Sequence, residues 1–147
     1  MAVDVLPTRR HPRYLVDKSA MARIRHETVA ARIEPLVAAR QIALSSVYDL
    51  EALYSARDVA DFANLRQEIS AYPHVRLLQA DLDRAIDVLE RLARRGQHRA
   101  TGIADLLQAA QAERDDLVVL HYDAGYELIA DMTGQPTEWV VPRGTVP

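Results

Sequence analysis

Asp17, Glu51, Asp105 and Asp123 lie far apart along the chain, yet each stands where an α/β fold could bring it to one end of a sheet. Carboxylates gathered in one place repel, and some take up protons unless a cation joins them. Mg²⁺ accepts oxygen ligands, keeps several waters, and is commonly held by only one or two protein carboxylates. Two such ions can also bind the attacking and leaving oxygens of an in-line displacement. The chemistry open to these four acids is therefore divalent-cation binding and, through it, hydrolysis of a phosphodiester.

Each acid also has a plainer explanation. Asp17 closes the apolar run Tyr14-Leu15-Val16, and Asp123 closes Leu117 to Tyr122, so either could simply open the turn after a strand. Ser19, two residues past Asp17, suits the cap of a following helix. Asp105 falls in the first turn of a helix, where an acid complements the macrodipole. Glu51 is harder to dismiss. It lies four residues after Val47 and three before Tyr54, on a helical face expected to be buried, where a carboxylate is costly without a cation. Position alone leaves both readings open for every one of them.

The elements that must carry these residues follow from alternating patterns. Strands are expected at about 13–17, 42–44, 75–78, 117–122 and 138–141, separated by helical periods. Those helices are expected at about 19–34, 46–56, 58–71, 81–95, 103–113 and 124–132, with Pro35 ending or kinking the first and Gly96 capping the fourth. In the helix from Asp81, the apolar stripe is read as Leu82, Ala85, Ile86, Leu89 and Leu92. Strict alternation of this kind predicts an α/β fold, a three-layer α/β/α sandwich on a mostly parallel sheet of about five strands. Ligands of open α/β sheets bind at the carboxyl ends of the strands, where Asp17 and Asp123 are placed.

At 147 residues and 49% hydrophobic content, the chain suffices for one domain, read as 13–147 behind a polar tail at 1–12. With no cysteine, thiolate ligands, disulfides and a cysteine nucleophile are excluded. The apolar runs are only strand-length and no secretory signal core precedes Arg13, so a cytoplasmic protein is expected. A net charge of −3 gives no global attraction to a polyanion, although 17 of the 18 basic residues are arginine. Arg91, Arg94, Arg95, His98 and Arg99 could track a nucleic-acid backbone or form a solvated helix face. His121, two residues before Asp123, is either a substrate contact or a satisfied residue at a strand end. Trp139 is expected in the core or an interface.

The segments Tyr14-Leu15-Val16-Asp17-Lys18-Ser19-Ala20, Ser46-Val47-Tyr48-Asp49-Leu50-Glu51, Gly102 to Ala110 and His121-Tyr122-Asp123-Ala124-Gly125-Tyr126 resemble, in order and spacing, the motifs of PIN-domain ribonucleases of the VapC toxin type. The resemblance spans about residues 13–141 and implies a PIN-like fold. It implies that Asp17, Glu51, Asp105 and Asp123 bind Mg²⁺ or Mn²⁺ and direct water at an RNA phosphodiester, with Ser19 holding the metal's water shell or a substrate phosphate. It further implies a VapB-type antitoxin partner, a homodimer, and tRNA or ribosomal RNA as substrate. The alternative is a PIN-fold module that binds RNA or protein without cutting, against which the presence of all four acids argues. An Asp-phosphorylated receiver or Asp-nucleophile phosphatase fits poorly, because the phosphatases want a second Asp where Ser19 stands.

Overall fold

The computed structural model describes residues 11–147. The expected tail at 1–12 therefore falls outside the described residues except for His11 and Pro12. Five strands, β1 (Tyr14–Val16), β2 (Ile42–Ser45), β3 (His74–Val75), β4 (Val118–His121) and β5 (Thr137–Trp139), form one sheet in the order β3-β2-β1-β4-β5. Every pairing is parallel. Between them run α1 (Lys18–Met21), α2 (Glu27–Ala38), α3 (Ser46–Tyr54), α4 (Val59–Ser70), α5 (Gln79–Arg94), α6 (Ile103–Arg114) and α7 (Gly125–Thr133).

The period of two along each strand sorts the core into two layers. Leu15, Ala43 and Val119 face α5, α6 and α7, packing with Val88, Leu92, Ala109 and Ile129. Tyr14, Val16, Ile42, Leu44 and Leu120 face the other way, onto Ala20, Val29, Ile33, Tyr48 and Ile69 of α1 to α4. This is the expected three-layer sandwich. Leu15 and Leu120 are wholly buried, and cutting either back to alanine should cost about 2–5 kcal/mol.

Several expected elements change shape. The single helix at 19–34 is two, because Asp17 caps a short α1 whose end passes through turns into α2. Pro35 does not end α2, which runs on to Ala38 with Pro35 inside it. The third strand stops at Val75 instead of reaching Leu78. The Arg76 carbonyl accepts from Arg114 Nη2 at 2.8 Å and the Leu78 amide donates to Asp81 Oδ2 at 2.8 Å, so these groups find side chains in place of a ladder partner. On α5 the buried stripe is Asp81, Ala85, Val88 and Leu92, while Leu82 and Ile86 are 37% and 63% exposed.

Candidate active site

The sheet runs outward from its middle in both directions. β1 is followed by β2 and β3 on one side, and β4 and β5 fill the other, so the crevice between the carboxyl ends of β1 and β4 is a topological switch point. Asp17 and Asp123 stand at those two ends. The ends are tied together twice, by the Asp17 amide on the Leu120 carbonyl at 2.9 Å and by the Tyr122 amide on Ser19 Oγ at 2.9 Å. Ser19 is therefore not the helix cap; Asp17 caps α1, and the Ser19 hydroxyl accepts from β4's exit while its own proton has no acceptor among the described residues.

Asp17 is buried and heavily coordinated by protein. Its Oδ2 accepts from the Ser19 amide at 2.9 Å, and its Oδ1 accepts from the Tyr126 hydroxyl at 2.8 Å and from Gln108 Nε2 at 2.9 Å. Asp105 lies in the first turn of α6, as expected, with its Oδ2 close to Gly125 at the start of α7. A Cβ added at Gly125 would stand 3.2 Å from Asp123 Oδ1 and 3.5 Å from Asp105 Oδ2, so the missing side chain leaves the gap these two carboxylates share. Asp123 is steadied by the Gly125 amide, which donates to Oδ1 at 2.8 Å.

Proximity appears in the protonation equilibria. Burial first, then the negative charges of Asp17 and Asp123, push the Asp105 carboxyl up to about 7. Burial and then Asp17 also raise Glu51, against the pull of Lys18. Glu51 thus senses the same pocket, but not for the reason of helical phasing. Tyr54, expected to share its buried face, is 93% exposed. What marks Glu51 is its Oε1, which is buried without a hydrogen-bond partner among the described residues.

His121 is fully buried, which removes it as a direct substrate contact. Its ring lies 4.9 Å from Tyr126 and 5.0 Å from Trp139. The Asp123 amide donates to His121 Nδ1 at 3.1 Å, which puts the ring proton on Nε2, and burial lowers the tendency of the imidazole to charge. Trp139 is half-buried, as a core-edge residue should be, and its Nε1 donates to Glu127 Oε1 at 2.9 Å.

Over 134 residues the chain is 41% identical to ribonuclease VapC51 of Mycobacterium tuberculosis, covering 91% of this chain and 97% of that one. The chain belongs to the VapC ribonuclease family. Ribonuclease VapC18 of the same organism is 38% identical over 135 residues, 90% of this chain and 98% of its own. No protein-family model matches. Among solved structures, DNA-bound VapBC from Salmonella typhimurium superposes with a TM-score of 0.71 at 19% identity, over 88% of this chain and 99% of that one. FitAcB from Neisseria gonorrhoeae gives 0.69 at 18% identity, over 86% and 97%. At those identities the likeness is one of fold, and the fold is that of the VapC PIN domains.

For a VapC-family site, the donor set suits a hard divalent ion. It is all oxygen, it contains one buried carboxylate oxygen with no partner among the described residues, and Gly125 keeps a gap that a side chain would fill. Among the described residues no three acidic or imidazole side chains converge closely enough to hold one ion together. That arrangement accords with an ion bound through one or two carboxylates, its remaining contacts passing through water. Sequence reasoning missed Gln108 and Tyr126. Gln108 lies three residues beyond Asp105 on α6, and Tyr126 three beyond Asp123 at the start of α7, a spacing that could have singled them out.

Proposed function

We propose that this protein is a Mg²⁺-dependent endoribonuclease toxin, with Mn²⁺ as a substitute, restrained by a VapB-type antitoxin. The observation that carries the reading is the gathering of Asp17, Asp105 and Asp123 at the switch point, close enough that the charges of the other two raise Asp105, in a chain of the VapC family. The relatives named above are ribonucleases, and the solved VapBC structures are toxin–antitoxin pairs, some bound to DNA.

A bound divalent ion would supply an activated water and stabilise charge on the phosphoryl oxygens. The chain's own part is to hold and orient. Asp17, fixed by three donors, and Glu51 are assigned to the ion together with Asp105 and Asp123, one or two of them in direct contact and the others through water. The Ser19 hydroxyl, whose oxygen is already engaged by Tyr122, has a proton to offer a water or a phosphate oxygen. Beside the acids, Arg95, His98 and Arg99 are exposed on the segment that leads to Thr101 and Asp105. Guanidinium groups there suit the backbone of a structured RNA such as tRNA or ribosomal RNA.

Two surfaces suit protein partners. An apolar groove of about 470 Å³ opens between α1–α2 and α3–α4, lined by Met21, Ile24, Ile33, Val37, Leu65 and Tyr72, and can take an apolar segment of the antitoxin. Leu78, Leu82 and Ile86 form an exposed stripe along α5, which suits a homodimer. No helix among the described residues is long and apolar enough to cross a membrane.

The test is cleavage of total cellular RNA by antitoxin-free protein, with 5′ ends mapped. Cleavage should require Mg²⁺ or Mn²⁺ and stop with a chelator. Asp17→Asn should lower it by more than the roughly 10–100-fold that loss of a ligand's hydrogen-bond partner costs. Undiminished cleavage by Asp17→Asn, or none by wild type, would overturn the proposal.

A further inference from the structure

Asp17 is held by two side chains that the sequence motifs do not single out. Gln108 follows Asp105 by three residues on α6, and Tyr126 follows Asp123 by three residues across the start of α7. Each therefore sits one turn from an acid of the site, and each points its donor at the acid on β1: Gln108 Nε2 at 2.9 Å and the Tyr126 hydroxyl at 2.8 Å, both on Oδ1. Both residues are essentially fully buried, at 1% and 0% exposure. We propose that Gln108 and Tyr126 are positioning residues that lock the Asp17 carboxylate, saturating Oδ1 so that Oδ2 is the oxygen presented to a divalent cation.

The lone-pair count supports the assignment. A carboxylate oxygen accepts about two hydrogen bonds in its plane. Among the described residues Oδ1 has two donors, whereas Oδ2 has one, the Ser19 amide, and keeps a lone pair. The same two bonds tie α6, which carries Asp105, and α7, which starts two residues after Asp123, directly to the residue at the end of β1.

A purely structural role accounts less well for Gln108. Its Oε1 is buried without a partner among the described residues. The amide cannot be turned over to satisfy that oxygen without setting it against the Asp17 carboxylate, so its orientation is imposed by Asp17. A leucine or methionine at 108 would carry no unsatisfied acceptor of its own but would take a donor from the buried Asp17 Oδ1. The glutamine therefore keeps an unpartnered oxygen for the sake of its bond to Asp17.

This inference rests on the reading of Asp17 as a cation ligand, and the experiment separates the two. Wild-type protein, Tyr126→Phe and Gln108→Met are compared for Mn²⁺ affinity by electron paramagnetic resonance, for kcat and KM on RNA, and for circular dichroism and melting in chelator. Both variants preserve side-chain bulk. The expected result is Mn²⁺ affinity weakened roughly 10–100-fold in each, with kcat reduced, KM for RNA unchanged and the far-ultraviolet spectrum that of wild type. Mn²⁺ affinity within twofold of wild type in a folded variant, whatever its melting temperature, would show the contacts to be structural and overturn the proposal. Should one variant not fold, the other decides. A wild-type protein that neither binds Mn²⁺ nor cuts RNA would overturn the cation reading itself, and this inference with it.

Discussion

Gly125 supplies room. Gly96, Gly134 and Gly144 have positive φ and serve turns, whereas Gly125 does not, so backbone freedom is not what its position asks for. A Cβ there would press on Asp123 Oδ1 at 3.2 Å and meet Asp105 Oδ2 at 3.5 Å and Thr101 Cγ2 at 3.6 Å in ordinary contact. Alanine is favoured over glycine inside a helix by about 1 kcal/mol, less at its first turn. Gly125→Ala should therefore melt in chelator no lower than about the wild-type temperature while binding Mn²⁺ more weakly and cutting RNA more slowly. Equal Mn²⁺ affinity and cleavage in the two proteins would show that the carboxylates do not need the gap. The acids themselves could be picked out in the sequence because their motifs keep order and spacing. His121 was legible only as a choice between two roles, since burial and the Asp123 amide on its Nδ1 depend on where Tyr126 and Trp139 pack.

Helix α5 shows which part of an element a sequence reveals. Its length and the glycine beyond its end agree with the expected 81–95 to within about two residues, and Ala85, Leu89 and Leu92 pack inward as expected, but the helix is turned so that Leu82 and Ile86 face out. The pattern contains two stripes, one with Leu82 and Ile86 and one with Asp81 and Val88, and the carboxylate gives the Asp81 stripe the character of a wet face. Arg114, 33 residues away on α6, reverses that judgement by pairing with Asp81 through Nε at 2.8 Å and Nη2 at 3.1 Å. Asp81 is 1% exposed and also accepts from the Leu78 amide that opens α5. Removing one partner of a buried pair costs about 3–5 kcal/mol, because the remaining charge stays in low dielectric. Arg114→Leu should accordingly lower the free energy of unfolding by an amount of that order in urea titrations, and Asp81→Asn in the same background should restore part of it. No loss in the single variant would mean that water reaches Asp81 and screens it.

The fold brings four acids together where the chain reverses direction across the sheet. That feature was legible: alternating strands and helices imply a parallel sheet, and an acid ending each of two strands then falls on one edge. Glu51 was placed near that edge through a helical phase that Tyr54 contradicts, because exposure of α3's far end is decided by tertiary packing. Four gathered carboxylates also make the fold respond to pH. Asp105 has an ordinary value of 3.8 and is pushed up to about 7 in the fold. Between those values the folded state binds a proton that the unfolded state has released. The stability tied to that proton is complete below about pH 4, declines as pH rises towards about 7, and is fully lost above it. In chelator, the melting temperature of wild type should therefore fall relative to that of Asp105→Asn across this window. A divalent ion must displace the same proton, so the rise in melting temperature produced by Mn²⁺ should grow from about pH 6 to about pH 8. Parallel melting profiles for wild type and Asp105→Asn would place Asp105 outside the shared field of Asp17 and Asp123. A Mn²⁺ effect independent of pH would separate Asp105 from the ion.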